Sequence, residues 1–243
     1  MKVSGIFFDV YGTLFRYGDM STAWVEWLAA IHAALQECGF QVSRESLAEA
    51  WDGFFLRPEP PPHGDLTIFE RRIRIACSDL GLCLTEPEAR KVASAGVGAW
   101  REHVTIYLET MDVLTALSDK TLAVVSNFDH PPEVYSLLER HGLIGFFDSI
   151  VISGEVGVKK PDPRIFSFAF DKTGLDPAEV AYVGDTQEDV QAARAAGIFP
   201  IRILHEAVPL DFGEYVQSNG SRDIGDVLTI SRLSDLTVLF HGS

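Results

Sequence analysis

Four short polar segments each follow an apolar run, and together they contain the functional groups that could take part in chemistry. The segments are Asp9 with Tyr11, Gly12 and Thr13, then Ser126 with Asn127, then Lys160 before Pro161, and finally Gly184 and Asp185 with Asp189. Carboxylates, a hydroxyl and an ammonium group are what nucleophilic catalysis and the stabilisation of an anion require. Because parallel strands end at one edge of an open α/β sheet, we expect these segments to form one site.

The apolar runs predict the strands that position this chemistry. They cover residues 3–8, 121–125, 148–152, 179–183 and 199–203. Helical spacing appears between them over 109–118, 131–141, 162–173 and 188–196, and residues 206–222 predict a polar loop before a last short strand and helix over 223–240. The alternation of strands and helices predicts an α/β fold with a Rossmann-like, doubly wound parallel sheet.

The segment 18–104 differs, because its spacing is helical almost throughout, over 21–38, 43–56, 65–81 and 86–101. A helical block inside an α/β chain predicts an inserted cap domain, which leaves 1–17 and 105–243 for the core domain. Its aromatic residues are expected to form the core of the cap rather than the wall of a pocket. Its arginines are expected to be solvated at the surface, although one of them could bind an anion.

Composition excludes several classes of partner. The chain has 243 residues and a formal net charge of −15. An acidic surface repels nucleic acid and anionic lipid, so we expect neither as a partner. No apolar stretch reaches the roughly 20 residues of a membrane span, and the beginning of the sequence lacks the features of a signal peptide. Three cysteines without a CxxC pair indicate free thiols in a reducing compartment, so we expect a cytoplasmic protein. We expect it to be a monomer or a homodimer.

The four segments resemble the motifs of the haloacid dehalogenase-like hydrolase superfamily, in the branch with a helical cap between the first two motifs. The matching stretches are FFDVYGTL, VVSNFD, GVKKPDPRIF and YVGDTQEDVQAARAAGI, in the family's order over nearly the whole chain. The resemblance implies that Asp9 is a nucleophile whose aspartyl-phosphate is hydrolysed by water. It gives Ser126 and Lys160 the task of stabilising the phosphoryl group, and it favours Lys160 over Lys159 because Lys160 directly precedes the proline.

The resemblance also implies a magnesium ion. Mg²⁺ prefers hard oxygen ligands in octahedral geometry. Asp9 and Asp185 would supply carboxylates, and the carbonyl of Tyr11 would be a third ligand. Asp189 would hold a metal-bound water or pair with the motif lysine, and Glu188 is a weaker candidate for that position.

The expected contacts with a small-molecule phosphate come from the first two motifs. Tyr11 and Gly12 belong to the loop after the nucleophile. Thr13 is expected to hold that loop through its hydroxyl, with a role in binding as the other possibility. Asn127 is expected to orient the phosphate through its backbone.

Tyr11 departs from the pattern, because most phosphatases of the family have a second aspartate there as general acid–base. A phenol with a pKa near 10 serves poorly near pH 7, so substrates with good leaving groups are favoured, such as acyl phosphates, aryl phosphates or anhydrides. The family's 2-haloacid dehalogenases have tyrosine at this position, and their aspartate attacks carbon without a metal. Dehalogenase is therefore one alternative, and a catalytically weak binding or regulatory protein is another. Asp185 and Asp189 favour the phosphohydrolase, because the dehalogenases resemble one another in having Ser-Asn at the Gly-Asp position.

Overall fold

The computed structural model describes residues 3–205 and 226–241. These residues form two compact units, of which one contains the described chain up to Tyr17 and from Thr105 on, and the other contains Gly18–Val104. The loop predicted over 206–222 lies outside the described residues. No helix among the described residues is both long and apolar enough to cross a bilayer.

The described strands and helices are as follows in chain order. The strands are β1 (Gly5–Phe8), β2 (Phe15–Tyr17), β3 (Val104–Ile106), β4 (Thr121–Ser126), β5 (Ser149–Ile152), β6 (Val180–Gly184), β7 (Phe199–Ile203) and β8 (Leu228–Ile230). The helices are α1 (Met20–Glu37), α2 (Arg44–Ala50), α3 (Ile68–Asp79), α4 (Glu86–Arg101), α5 (Thr110–Ala116), α6 (Pro131–Arg140), α7 (Ser153–Val156), α8 (Ser167–Thr173), α9 (Gln187–Ala195) and α10 (Asp235–His241).

Six strands form one sheet in the order β5-β4-β1-β6-β7-β8, and every neighbouring pair is parallel. The chain moves outward from β1 through β4 to β5 and then returns to β6 on the other side of β1. Strand order therefore reverses between β1 and β6, and in such sheets ligands bind at this point. The predicted α/β fold with a doubly wound parallel sheet is confirmed. The pairing of β2 with β3 in a separate two-stranded sheet was not part of the prediction.

β1 and β6 are buried along their whole length, which explains their unbroken apolar sequences. The register places Phe7 beside Tyr182 and Phe8 beside Val183. The two strands therefore end nearly level with each other. Asp9 follows the end of β1, and its backbone N–H donates to the Val183 carbonyl at 2.9 Å.

The helical unit has an apolar core of its own. Trp27, Trp51, Phe54 and Phe69 are buried together in it, as the sequence predicted for the aromatic residues of this segment. Phe55 differs, because 44% of its surface is exposed. α3 and α4 each begin with a capping box, which satisfies backbone N–H groups that a helix start leaves unpaired.

The single helix predicted over 43–56 is wrong. α2 ends at Ala50, and Gly53 adopts a φ of +63° before a 3₁₀ turn over Phe54–Leu56. Glycine allows this left-handed conformation at little cost, so the chain reverses there. The reversal brings the rings of Trp51 and Phe54 into stacked contact at 5.1 Å in the core.

Arginines that were predicted to be solvated instead hold the proline-rich loop of the helical unit. Arg72 is 9% exposed and donates to the carbonyls of Arg57 at 2.6 Å and Pro58 at 3.3 Å. Arg71 donates to the carbonyl of Leu66 at 2.9 Å. Since loop carbonyls have no partners in a helix or sheet, guanidinium groups with several donors satisfy them.

Candidate active site

Lys160 lies at the centre of a buried polar cluster at the carboxyl edge of the sheet. Its side chain is 3% exposed, and its Nζ is 2.8 Å from Asp9 Oδ1 and 2.6 Å from Asp189 Oδ1. It also lies 2.8 Å from the Tyr182 hydroxyl and 3.2 Å from the Val125 carbonyl. The cluster therefore joins residues that lie in or follow β1, β4 and β6 with a lysine from the loop after α7.

Asn127 fixes the backbone of Lys160 with both ends of its side-chain amide. Its Oδ1 accepts from the Lys160 N–H at 2.8 Å, and its Nδ2 donates to the Lys160 carbonyl at 3.0 Å. The same Nδ2 lies 3.4 Å from the carboxylate of Glu188, whereas the side chain of Lys159 is exposed. The sequence predicted only a backbone role for Asn127, so this contact across 33 residues is new.

Two glycines allow carboxylates to approach the backbone closely. Gly12 has a φ of +82°, and a Cβ built there would lie 2.3 Å from Asp185 Oδ2. A Cβ on Gly184 would lie 2.4 Å from the carboxyl carbon of Asp189. Both distances are too short for any real Cβ. Any side chain at either position would therefore displace a carboxylate of the cluster.

The donor set fits a divalent cation. One oxygen each from Asp9, Asp185 and Asp189 lie within 4.8 Å of one another. Asp185 Oδ1 is buried and has no hydrogen-bond partner among the described residues. With Lys160 as the one ammonium among them, these groups have a net charge of −2 when all are ionised, which a divalent ion would balance. Carboxylate oxygens are the ligands that Mg²⁺ prefers.

The carboxyl groups differ in their affinity for protons. Burial raises the pKa of Asp185 well above its ordinary value, and the nearby charges of Asp189 and Asp9 raise it further. Burial also raises the pKa of Asp9, although Lys160 opposes the shift. For Asp189 burial acts in the same direction, but Lys160 and the hydrogen bonds from Thr186 outweigh it and lower its pKa. Asp185 is therefore the carboxyl group whose ionised form a neighbouring cation would stabilise most.

Both oxygens of Asp189 are occupied. Oδ1 accepts from Lys160 and is 3.0 Å from the Tyr182 hydroxyl. Oδ2 accepts from the backbone N–H of Thr186 at 2.9 Å and from its hydroxyl at 2.6 Å, which closes the capping box of α9. Of the two roles predicted for Asp189, the described contacts correspond to the pairing with Lys160.

Two hydroxyls of the predicted site are buried near Asp9. Ser126 Oγ forms no hydrogen bond of normal geometry with the described residues, but its position beside Asp9 still contributes a lowering of the pKa of that carboxyl. Thr13 Oγ1 has no partner among the described residues, so no described contact supports the expectation that this hydroxyl holds the loop. The Thr13 carbonyl instead lies 3.2 Å from Nε2 of His205. Because an unpaired buried hydroxyl costs about 1–3 kcal/mol, these groups are suited to a ligand.

Tyr11 belongs to a packed group of aromatic rings. It is 5% exposed, and its ring centroid lies 4.8 Å from that of Phe128 and 6.2 Å from that of Tyr17. These contacts hold the ring in one orientation beside the loop that follows Asp9. The position that holds a carboxyl in most phosphatases of the resembled family is therefore filled by a fixed aromatic ring.

Tyr182 is a residue of the cluster that sequence reasoning missed. It lies within β6 and is 1% exposed, so the apolar pattern placed it among the core residues. A buried tyrosine needs a hydrogen-bond partner for its hydroxyl. That requirement, in a strand that ends directly before Asp185, was the signal that could have identified it.

Comparisons with known proteins found a matching family model and several similar proteins. Residues 3–197 match the family model described as haloacid dehalogenase-like hydrolase. Among curated proteins, the chain is 36% identical over 126 residues to a glyceraldehyde 3-phosphate phosphatase of Methanopyrus kandleri, covering 49% of this chain and 53% of that protein. It is 33% identical over 182 residues to a phosphoserine phosphatase of Thermus thermophilus, covering 71% and 65%. These matches span less than two thirds of the length of either relative.

Proteins with a different printed activity are also similar. An (S)-2-haloacid dehalogenase of Pseudomonas putida is 26% identical over 213 residues, covering 82% of this chain and 83% of that protein. Among solved structures, a phosphatase from Thermococcus onnurineus has a TM-score of 0.64 at 19% identity, and the match covers 98% of this chain and 97% of that one. At that identity the structural likeness establishes the fold alone.

Proposed function

Because the chain belongs to the haloacid dehalogenase-like hydrolase family, we propose that it is a magnesium-dependent phosphohydrolase that acts on a small-molecule phosphate through an aspartyl-phosphate. The observation that supports this most is the carboxylate of Asp185. Its Oδ1 is buried near Asp9 without a hydrogen-bond partner among the described residues, and burial and like charges raise the pKa of Asp185. A carboxylate in such a position is suited to a cation, which phosphoryl transfer needs and halide displacement does not.

In the proposed reaction Asp9 is the nucleophile. One of its carboxylate oxygens attacks phosphorus, and the bond from phosphorus to the leaving oxygen breaks, with the electron pair going to that oxygen. Water then attacks the phosphorus of the aspartyl-phosphate, which releases inorganic phosphate and restores the carboxylate. Lys160, whose Nζ contacts Asp9 Oδ1 at 2.8 Å, and the hydroxyl of Ser126 stabilise the charge on the phosphoryl oxygens.

The carboxylates of Asp9 and Asp185 and the backbone carbonyl of Tyr11 would hold the ion. When bound there, it would supply positive charge that offsets the repulsion between the carboxylates and an anionic substrate. Asp189 acts through Lys160 in this proposal, because its Oδ1 accepts from the ammonium and its Oδ2 accepts two hydrogen bonds from Thr186. Gly12, Thr13 and the backbone of Asn127 would contact the phosphate.

Tyr11 restricts the substrates. Its ring is held by Phe128 and Tyr17, and a phenol is a weak general acid near neutral pH. Leaving groups that need no proton are therefore favoured, namely those of acyl phosphates, aryl phosphates or anhydrides.

We also propose that the enzyme acts in the cytoplasm, because its three cysteines are free thiols, as is usual in a reducing compartment.

A 2-haloacid dehalogenase is the second candidate, and Tyr11 is the observation that favours it. In that reaction Asp9 would attack carbon and displace halide. The dehalogenase of Pseudomonas putida, whose match covers most of both chains, keeps this candidate open. A binding or regulatory protein with little turnover is the third.

One experiment separates the three. The purified protein is incubated with p-nitrophenyl phosphate, acetyl phosphate, glycerol phosphate and 2-chloropropionate, each with excess Mg²⁺ and with excess EDTA. We expect release of phosphate from the first two substrates in Mg²⁺, little release from glycerol phosphate, and a large loss of activity in EDTA. Release of chloride that EDTA does not change would instead establish the dehalogenase, and no turnover of any substrate would favour the binding protein.

The nucleophile is tested by Asp9→Asn, with Asp171→Asn as the matched control because Asp171 is exposed on α8. We expect Asp9→Asn to lose activity by at least about a thousandfold, since it lacks the attacking carboxylate. Mass spectrometry of rapidly quenched wild-type enzyme should find a phosphoryl group on the peptide that contains Asp9. Full activity of Asp9→Asn would refute the covalent mechanism.

A further inference from the structure

The hydroxyl of Tyr182 is not explained by packing. The ring lies in an apolar cluster with Phe7 and Ile165, and it meets Phe166 edge to face at 4.9 Å. Phenylalanine would fill the same volume. Burying a hydroxyl costs free energy unless it is hydrogen-bonded, so the oxygen is accounted for by the polar groups it reaches.

Those polar groups are Lys160 Nζ at 2.8 Å, the Val125 carbonyl at 2.8 Å and Asp189 Oδ1 at 3.0 Å. An ammonium has three N–H donors and a phenol has one, whereas the carbonyl and the carboxylates are acceptors only. The short ion pairs of Lys160 with Asp9 and Asp189 favour one arrangement that satisfies all of them. Lys160 donates to Asp9, to Asp189 and to the Tyr182 oxygen, and Tyr182 donates to the carbonyl of Val125.

In this arrangement the phenol accepts the third N–H of the ammonium. Asp9 and Asp189 accept two of the three N–H groups, and the phenol oxygen at 2.8 Å accepts the third. Three acceptors in different directions restrain the position of Nζ, which keeps one N–H directed at Asp9 Oδ1. Without the hydroxyl, the acceptor left for the third N–H among the described residues is the Val125 carbonyl, which lies farther away at 3.2 Å.

We propose that Tyr182 is a positioning residue that orients the ammonium of Lys160 toward Asp9 and the phosphoryl group. The inference rests on the proposed function for its effect on rate, but the contact itself can be tested without any substrate. Tyr182 touches no reacting atom in this proposal, and it acts only through Lys160.

The kinetic test uses Tyr182→Phe, which retains the ring and removes the hydroxyl. Tyr135→Phe is the matched control, since its hydroxyl also contacts a carboxylate, that of Glu155 at 3.1 Å, outside the cluster. We expect Tyr182→Phe to lower kcat by about tenfold with KM within about twofold, as for the loss of one hydrogen bond to a charged group. Tyr135→Phe should match the wild type.

A double-mutant cycle then shows whether the effect passes through Lys160. In the Lys160→Ala background, adding Tyr182→Phe should change the residual kcat by less than about twofold, because the group that the hydroxyl positions is gone. A further tenfold loss in that background would overturn the proposal. So would unchanged kcat in the single variant Tyr182→Phe.

A measurement without turnover keeps the inference separate from the proposed function. Lys160 is the only buried lysine among the described residues, so in protein labelled with ¹⁵N-lysine its ammonium should give a slowly exchanging Nζ–H signal. The signal is assigned by its absence in Lys160→Ala. We expect it to broaden or vanish in Tyr182→Phe and to persist in Tyr135→Phe. An unchanged signal in Tyr182→Phe would overturn the proposal, even if phosphatase activity were confirmed.

Discussion

Gly12 allows the position of Asp185 to be tested with a single added methyl group. In Gly12→Ala the new Cβ would lie 2.3 Å from Asp185 Oδ2, 2.5 Å from its carboxyl carbon and 2.8 Å from Oδ1. Since real Cβ contacts are essentially never shorter than 3.0 Å, the carboxylate must move by at least about 0.7 Å. The positive φ of +82° adds about 1–2 kcal/mol of backbone strain for a residue with a side chain.

The displacement should remove Asp185 from the proposed cation site. We expect kcat to fall by about 100- to 1000-fold, the usual loss when one group that stabilises the transition state is withdrawn. We also expect weaker binding of Mn²⁺, used as a probe for Mg²⁺ and measured by electron paramagnetic resonance. Circular dichroism should show that the variant is folded.

Gly174→Ala separates strain from displacement. Gly174 follows α8 with a φ of +70°, but a Cβ there would meet nothing within 4 Å. Both variants should lose about 1–2 kcal/mol of unfolding free energy in urea from strain, with a further loss in Gly12→Ala from the clash. Only Gly12→Ala should lose activity and Mn²⁺ affinity. Wild-type activity in Gly12→Ala, or equal losses of activity in both variants, would refute the reasoning.

Three further predictions concern the same cluster. Tyr11→Asp should raise the rate with glycerol phosphate relative to p-nitrophenyl phosphate by at least about tenfold, because it supplies a general acid; steady-state kinetics that give an unchanged ratio would contradict this. Asn127→Ala should lower the free energy of unfolding in urea by about 1–3 kcal/mol and lower kcat, because the backbone N–H and carbonyl of Lys160 lose their partners. The absence of both effects would show that the contacts of the Asn127 amide with the Lys160 backbone are unimportant. The raised pKa of Asp185 means that the folded protein holds a proton that the unfolded chain has already released. In EDTA, stability should therefore decrease as pH rises from about 4 through the folded-state pKa, and the urea midpoint should show a smaller decrease in Asp185→Asn and with Mg²⁺ present; identical pH profiles would count against the assignment.

Much of the fold could be predicted, because buried parallel strands need apolar side chains on both faces. The run that ends at Phe8 and the run that ends at Gly184 were therefore visible as strands in the sequence. The helical break at Gly53 was not visible, because its helical spacing continues on both sides. It is the packing of Trp51 against Phe54 in the core that requires the reversal.

The sequence by itself determined that Asp9, Ser126, Lys160 and Asp185 belong near one sheet edge, because the ends of parallel strands must meet there. Only the tertiary structure decided their partners. The amide of Asn127 reaches the backbone of a residue 33 positions away, and the hydroxyl of Tyr182 reaches an ammonium from another loop. Such contacts depend on which loops and strands become neighbours after folding, and the spacing of residues along the chain does not encode a hydrogen-bond partner.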